Sequence, residues 1–175
     1  MRRLVGKPRK TVLVNNGAKS GPVKVFVSGC YDILHGGHVQ FFRDAKAVGT
    51  KVATSNGRNG AHLTVSFASD KVLKKYKGRV SAIPMSHKRR LLEEMRSVDR
   101  VVSSSNPNEP ILDFKKNFLK IRPDVLVVTV DDRNVALKSA LCKEIGAQLV
   151  ILPKSPPGRI SPISTTQIRE RILKK

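Results

Sequence analysis

Cysteines, aromatic rings and acidic side chains are all scarce in this 175-residue chain. Tryptophan is absent, aromatic residues make up 5% of the chain, and the two cysteines, Cys30 and Cys142, lie far apart. That spacing excludes a Cys-x-x-Cys pair and a disulfide framework, and it favours a reducing compartment. No apolar run is long enough to span a membrane. The sequence therefore predicts a cytoplasmic protein without a membrane partner.

The shortage of acidic residues gives the chain its most unusual property. Lys and Arg number 34 against 13 Asp and Glu, so the formal net charge is +21. The first acidic residue is Asp32. Such an excess is typical of a protein with a polyanionic partner, most often RNA. A phosphate-binding site on a basic, solvated surface would also account for the excess of positive charge. RNA is therefore a candidate partner.

The beginning of the chain differs from the rest. Basic residues there are separated mainly by small and polar ones, and no apolar segment of the secretory type is present. We predict that residues 1–22 form a basic N-terminal extension and that residues 23–175 form one domain. At 39% hydrophobic residues, that domain can bury a sizeable core. An Arg-rich, acid-free start is also typical of organelle transit peptides, so an organelle is an alternative location.

Strand and helix patterns alternate through the predicted domain. Strand patterns occupy residues 23–27, 62–68, 100–103, 125–130 and 148–152. Helical patterns occupy residues 38–48, 85–95, 110–121, 134–145 and 165–173. The alternation predicts an α/β, Rossmann-like three-layer fold, in which helices cover both faces of a five-stranded parallel sheet. Gly49 is expected to end the first helix, and residues 51–61 to form a polar loop.

A segment rich in glycine and histidine joins the first predicted strand to the first predicted helix. Its sequence is Gly29-Cys30-Tyr31-Asp32-Ile33-Leu34-His35-Gly36-Gly37-His38. Glycine lets the backbone approach a phosphate closely, and a helix N-terminus offers N–H groups to an anion. His35 and His38 lie on one turn and can face the same phosphate. A metal site has no evident third ligand nearby, and the strand–loop–helix context favours phosphate binding over loop histidines without a function.

A second phosphate-binding pattern lies near the C-terminus, where Ser164, Thr165 and Thr166 begin a predicted helix and Arg169 follows one turn later. Hydroxyl groups at a helix start can cap the helix and also bind phosphate oxygens. A guanidinium group can hold a phosphate with two hydrogen bonds. Taken alone, the segment is equally typical of an ordinary capped amphipathic helix.

Together the two segments resemble the GxFDxxHxGH and ISTTxIxxxI signatures of the HxGH nucleotidyltransferase superfamily, which includes glycerol-3-phosphate cytidylyltransferases and heptose-1-phosphate adenylyltransferases. The resemblance runs from about Lys24 to Ile172. It implies transfer of CMP from CTP, or of AMP from ATP, onto a small phosphorylated alcohol or sugar phosphate, with release of pyrophosphate. It also implies Mg²⁺ bound mainly through the substrate phosphates, without a resident metal site, and in many members a homodimer.

The resemblance assigns roles to individual residues. It implies that His35, His38 and Lys77 are catalytic, with Lys75 as the second choice for the lysine. Lys88 stands where the family has an arginine, unless Arg89 takes that role by a small shift in register. The fourth strand keeps an aspartate but lacks the glycine and the aromatic residue that relatives place beside it. The implied nucleotide-binding residues are Gly29, Cys30, Tyr31, Asp32, Gly37, Lys88, Asp131, Ser164, Thr165, Thr166 and Arg169.

The net charge supports a second hypothesis of a different class, an RNA-binding ribonucleoprotein component built on the same fold. Its support is the charge itself and the absence of carboxylates from residues 1–31 and 71–90. A retired active site usually loses motif residues, whereas both motifs are intact in this chain. We therefore favour the enzyme, with RNA binding as an additional property. The acceptor and the choice between CTP and ATP stay open.

Overall fold

One parallel sheet organises the protein. The structure, a computed structural model, describes residues 20–104, 106–109, 111–154, 161 and 163–174, so most of the basic extension lies outside the described residues. Five strands lie in the order β3-β2-β1-β4-β5 and every pairing is parallel. In chain order the strands are β1 Val23–Gly29, β2 Ala61–Ala68, β3 Arg100–Ser104, β4 Val125–Thr129 and β5 Gln148–Leu152. The predicted five-stranded parallel sheet is confirmed.

The described residues form six helices. They are α1 Gly36–Ser55, α2 Asp70–Lys77, α3 Met85–Glu93, α4 Lys115–Ile121, α5 Val135–Ile145 and α6 Thr165–Leu173. The bounds of α6 and β5 agree with the sequence prediction, and Gly146 ends α5 in a left-handed conformation with φ 72°, as predicted. None of the described helices has the length and apolar character needed to cross a bilayer.

The central strand is covered on both faces. Val25 and Val27 of β1 point into one core cluster, which includes Phe42 of α1. Phe26, between them, points into the opposite cluster and packs edge-on against Phe118 of α4 at 5.4 Å between ring centroids. Side chains alternate across a strand, so the part of a strand that is covered on both faces is apolar at successive positions, as at 25–27. The predicted three-layer arrangement follows from this alternation.

The first helix is longer than predicted. It continues to Ser55, so the expectation that Gly49 ends it was wrong, and so was the assignment of residues 51–55 to a loop. Gly49 is buried, and a Cβ atom there would lie 2.3 Å from Cγ2 of Val25 and 2.8 Å from Cβ of Ala61. The glycine is needed because the helix approaches the sheet closely.

Two other helices differ from the sequence prediction. Residues 70–77, where no helix was predicted, form α2. Ser69 is its N-cap, and Gly78, at φ 68°, is its C-cap. Helix α4 begins at Lys115, whereas the sequence predicted a start at position 110, which lies outside the described residues. Short helices between strands are weak signals because few turns are available to show a period.

Candidate active site

The carboxyl ends of the strands frame a two-part cleft. One part, which we call the histidine pocket, has a volume of about 330 Å³ and includes His35, His38 and Lys154 in its lining. The other, the adjoining pocket, has a volume of about 480 Å³ and is lined by residues of α2 and α5 and by the segment after β4. The two share Gly29, Cys30, Lys77, Thr129 and Asp131. A ligand-binding cleft at this edge is the expected position in an open parallel sheet.

The two histidines stack at the entrance to α1. Their ring centroids are 3.9 Å apart with a tilt of 31°. Tyr31, which has φ 45°, packs its ring edge-on against His38 at 5.2 Å. The Nδ1 atoms of both histidines are buried and have no hydrogen-bond partner in the described part of the chain. Polar atoms left unpaired in a protein interior are costly, and they are found most often at functional sites.

Burial keeps both imidazoles neutral. It lowers the pKa of His38 to about 3, with the neighbouring His35 adding to the effect. Burial also lowers the pKa of His35, and the charge of Lys154 lowers it further. A bound phosphate would reverse the balance, because a nearby anion stabilises the protonated form. The histidine pocket is therefore lined by a pair of neutral imidazoles, and an anion bound beside them would raise their pKa values.

Asp32 lies beneath the cleft and holds together the segments around it. Its side chain is 2% exposed, and its carboxylate accepts hydrogen bonds from Arg79, Ser81, the Ala82 backbone and Arg169. Burial alone would raise the pKa of this carboxyl, but the hydrogen bonds outweigh burial and hold the pKa well below its usual range. Its contacts with other described residues are all to protein groups, so Asp32 fixes the positions of Arg79 and Arg169.

Lys88 likewise lies under the cleft. It is fully buried, and its Nζ donates to the carbonyls of Cys30 and Ala68 at 3.2 and 3.1 Å and to Ser81 Oγ at 3.3 Å. An ammonium group has three hydrogens, so these contacts account for all of them. Burial lowers its pKa, and the nearby carboxylate of Asp32 partly offsets this. The geometry makes Lys88 a support for the loop after β1, with no face on either pocket.

Helix α6 delivers the second motif to the histidine pocket. Ser164 caps the helix in a reciprocal arrangement: its Oγ accepts from the Gln167 backbone, and the Gln167 side chain accepts from the Ser164 backbone. The Thr165 hydroxyl donates to the Ile33 carbonyl at 3.3 Å, which fastens α6 to the histidine loop. Arg169 directs two nitrogen atoms to one oxygen of Asp32, at 3.0 and 3.2 Å.

The strand ends contribute residues that the sequence motifs did not include. Lys154 follows β5 and forms an ion pair of 2.8 Å with Asp131 across the mouth of the histidine pocket. Hydrogen bonds from Lys154 and Thr129 lower the pKa of Asp131. Arg79, which pairs with Asp32, follows α2 and was not among the predicted site residues. The signal of these residues in the sequence is only that of a cation shortly after a strand or helix.

Most of the predicted site residues meet in one place. Three of them, Asp32, Lys88 and Arg169, are not among the lining residues of either pocket. In the described ranges, no cluster of three histidine, cysteine or carboxylate side chains has the spacing of a metal site. The predicted residues that do line the histidine pocket are Gly29, Cys30, Tyr31, His35, Gly37, His38, Lys77, Asp131, Ser164, Thr165 and Thr166.

The loop after β1, the stacked histidines and the start of α6 meet at the carboxyl edge of the sheet, and the proteins that this chain resembles show that it is a nucleotidyltransferase. A family model described as cytidylyltransferase-like matches residues 26–171, and the chain belongs to that family. The structure also resembles the crystal structure of the lipopolysaccharide core biosynthesis protein from Thermoplasma volcanium, with a TM-score of 0.55 and 22% identity over 82% of this chain and 99% of that one.

Curated relatives agree with this assignment. The chain is 30% identical over 154 residues to the FAD synthase of Korarchaeum cryptofilum, covering 86% of this chain and 92% of that protein. It is 31% identical over 151 residues to the FAD synthase of Pyrococcus horikoshii, with the same coverage. It is also 28% identical to the bifunctional protein HldE of Alcanivorax borkumensis, over 99% of this chain but only 33% of that longer protein.

Proposed function

We propose that the protein transfers AMP from ATP onto a small phosphorylated acceptor and releases pyrophosphate, with CMP from CTP as the alternative transfer. The observation that carries the proposal is the stacked pair His35 and His38, with rings 3.9 Å apart and buried Nδ1 atoms, in the pocket that α6 also enters. The FAD synthase relatives favour ATP over CTP.

The reaction needs no protein nucleophile. An oxygen of the acceptor phosphate attacks the α-phosphorus of the triphosphate in line, a phosphorus–oxygen bond forms there, and the bond from the α-phosphorus to the bridging oxygen of pyrophosphate breaks. His35, His38 and Lys77 stabilise the charge that develops at the α-phosphate, and the hydroxyl groups that begin α6 hold the departing pyrophosphate. Catalysis is then positioning and charge stabilisation.

The adjoining pocket suits the acceptor. Its lining combines cations with carboxylates, which can bind the phosphate and the hydroxyl groups of one small molecule; these residues are Lys77, Arg133, Lys138, Asp113, Asp131 and Asp132. Because Lys77 and Asp131 line both pockets, they lie where the two substrates meet. We place the attacking phosphate beside Lys77 on this basis.

Mg²⁺ is proposed as a companion of the substrates. When bound, it would neutralise phosphate charge, and its ligands would be phosphate oxygens and water, because Mg²⁺ in such sites usually keeps several waters and few protein ligands. The carboxylate of Asp131 belongs to the shared part of the cleft and is the chain's candidate for holding one of those waters. Cytoplasmic location and a homodimer stay predictions.

A pyrophosphate-release assay across a panel of nucleotides and acceptors tests the proposal. The nucleotides are ATP, CTP, GTP and UTP. The acceptors are FMN, glycerol 3-phosphate, an amino-alcohol phosphate and a sugar 1-phosphate. We expect release that requires one nucleotide and one acceptor together and that the double variant His35→Ala/His38→Ala lacks. Release independent of acceptor would indicate a pyrophosphohydrolase, and no release from any pair by the folded protein would contradict the proposal.

A further inference from the structure

A large basic groove lies at the edge of the sheet opposite the cleft, where β1, β2, β3 and β4 begin. Its volume is about 920 Å³, roughly twice that of the adjoining pocket. Among the described lining residues, five are Lys or Arg and one, Asp124, is acidic.

The single carboxylate in this groove is already engaged. Asp124 accepts from the Lys24 backbone and from Arg58, each at 2.9 Å. Arg58 also donates to the carbonyls of Gly21 and Pro22, which leaves its side chain only 11% exposed. Arg58 and Asp124 therefore build the wall of the groove, and their charges largely compensate each other.

The other cations of the groove are exposed. Arg100, Lys120 and Arg122 have no hydrogen bond or ion pair from their side chains to other described residues. Each remains hydrated until a ligand arrives, so each can release a counterion and contact a phosphate. Three unpaired cations around one concave surface fit a ligand that carries several phosphates in a row.

Arg122 occupies a position where arginine is unfavourable for the fold. It ends α4 with φ 48° and ψ 65°, in the left-handed region. The corresponding positions after α2 and α5 are held by Gly78 and Gly146. A residue with a side chain is unfavourable there, whereas glycine is not. The side chain of Arg122 lines the groove, and it is exposed.

The residue at the start of the described chain lies in this groove, and the sequence before it is basic. Ser20 lies in the lining, and the 19 residues before it contain six Lys or Arg and no acidic residue. The groove has no aromatic side chain of Phe, Tyr or Trp among its described lining residues on which a base could stack, and its apolar residues are only Pro22 and Ile121. The lack of these aromatic side chains argues against recognition of bases by stacking. The scarcity of apolar residues argues against a protein partner, which needs apolar or aromatic anchors.

We infer that this basic groove binds the sugar–phosphate backbone of RNA, without sequence specificity and independently of the transfer reaction. The exposed cations Arg100, Lys120 and Arg122 lie together at one edge of the sheet and can contact successive phosphates. The active site lies at the other edge, so a nucleic acid in the groove does not obstruct it.

Fluorescence anisotropy with a labelled single-stranded oligoribonucleotide of mixed sequence tests the inference on the full chain. The groove variant is Arg100→Ala/Lys120→Ala/Arg122→Asn, in which asparagine is chosen because it tolerates the left-handed conformation. The control variant is Arg43→Ala/Lys116→Ala/Arg171→Ala, which removes the same charges from exposed positions on helices. Salt titrations on all three proteins separate a specific surface from diffuse attraction.

We expect the groove variant to bind about 100-fold more weakly at 0.1 M salt and to lower the salt slope by about 2, since each single-strand phosphate contact contributes roughly 0.7. The control variant should lose much less. Equal losses in both variants, or no loss in the groove variant, would overturn the inference. Preference for an acidic phosphopeptide over RNA would also overturn it and indicate a protein partner. Unchanged pyrophosphate release by the groove variant shows that the result is independent of the proposed function.

Discussion

The two edges of the sheet handle positive charge in opposite ways. At the carboxyl edge most cations near the cleft are held by carboxylates: Arg79 and Arg169 bind Asp32, Lys154 binds Asp131 and Lys138 binds Asp132, whereas Lys77 and Arg133 have no ion pair with another described residue. At the amino edge the described residues of the basic groove include five Lys and Arg but one carboxylate, Asp124. A transfer site needs charges held in place before the substrate arrives, and counter-charges provide that. A polyanion surface needs charges that are free to be neutralised. Net charge alone therefore says little about where the chemistry occurs.

The largest effect on stability is expected from Asp32, the buried carboxylate under the cleft. Asp32→Ala leaves Arg79 and Arg169 without their partner in a partly buried site, and breaking a buried pair in this way costs about 3–5 kcal/mol of folding free energy. Urea unfolding followed by circular dichroism measures it. The control is Asp131→Ala, which breaks an exposed pair at the same edge and should cost under about 1 kcal/mol.

Equal destabilisation by these two substitutions would contradict the role given to Asp32. It would mean that the ion pairs of Asp32 contribute no more to stability than exposed surface pairs do, and that packing stabilises the carboxyl edge.

The paired histidines should affect turnover far more than stability. Removing one positioned donor to a developing oxyanion typically costs a factor of about 10²–10³ in rate. We expect this for His35→Ala and for His38→Ala with little change in Tm, since both side chains lie in a loop and at a helix start. Steady-state pyrophosphate release and thermal unfolding give the two numbers. The groove variant at the amino edge should stay within a few-fold of the unchanged protein, and near-normal turnover in either histidine variant would remove the assigned role.

Arg169 should act on the triphosphate alone. Its two bonds to Asp32 fix the guanidinium near the start of α6, where the β- and γ-phosphates would lie. Arg169→Ala should weaken triphosphate binding roughly 10- to 100-fold, the usual cost of a charge-assisted contact, and Arg169→Lys should recover only part of it. Calorimetric titration with nucleoside triphosphate and monophosphate decides the matter. An equal loss for both ligands would mean that Arg169 supports the fold or contacts the nucleoside.

The neutral histidines predict that nucleotide binding depends on pH. The pKa of His38 is about 3 in the free protein, and a bound triphosphate should raise it. Protons are then taken up on binding, so affinity rises as pH falls from 7 to 5, by less than tenfold per pH unit for one proton. Calorimetry at pH 5.5 in two buffers of different ionisation enthalpy counts the protons. His38→Gln should reduce the count, and enthalpies that do not depend on the buffer would show that the pair stays neutral in the complex.

The sequence predicted the sheet well, because the hydrophobic pattern of each strand and the turn residues that flank it indicate the same boundaries. The run at Val125–Thr129 is apolar up to its last residue, as a strand covered on both faces must be. Gly146 ends α5 as its position suggested. Gly49 was misinterpreted because a glycine that ends a helix and one that lets a helix approach a strand look alike in one sequence. Only the packing partner, which lies in another element of the fold, distinguishes the two uses.

The motifs located the cleft, but they did not separate residues that line it from residues that support it. Asp32 lies between lining residues of the loop after β1, and Lys88 belongs to α3, so the burial of each becomes visible only in the fold. Lys154 was missed for the opposite reason, because it belongs to no motif and enters the pocket through the position of β5 beside β4. Contacts between distant strands have no signature in local sequence.

The smallest effect on catalysis is expected from the N-terminal segment, and it tests whether the two edges are independent. The carbonyls of Gly21 and Pro22 accept hydrogen bonds from Arg58, so the deletion should stop before them, at residue 19. Removing residues 2–19 should leave kcat and KM within a few-fold, because the cleft lies at the far edge of the sheet. RNA affinity should fall, and its salt slope should decrease by roughly 0.7 for each phosphate that the protein no longer binds. A longer deletion, of residues 2–22, is the control: it also removes acceptors of Arg58 and should cost about 1–3 kcal/mol in stability. If the shorter deletion folds normally but does not release pyrophosphate, the segment belongs to the active site and the separation between the two edges does not hold.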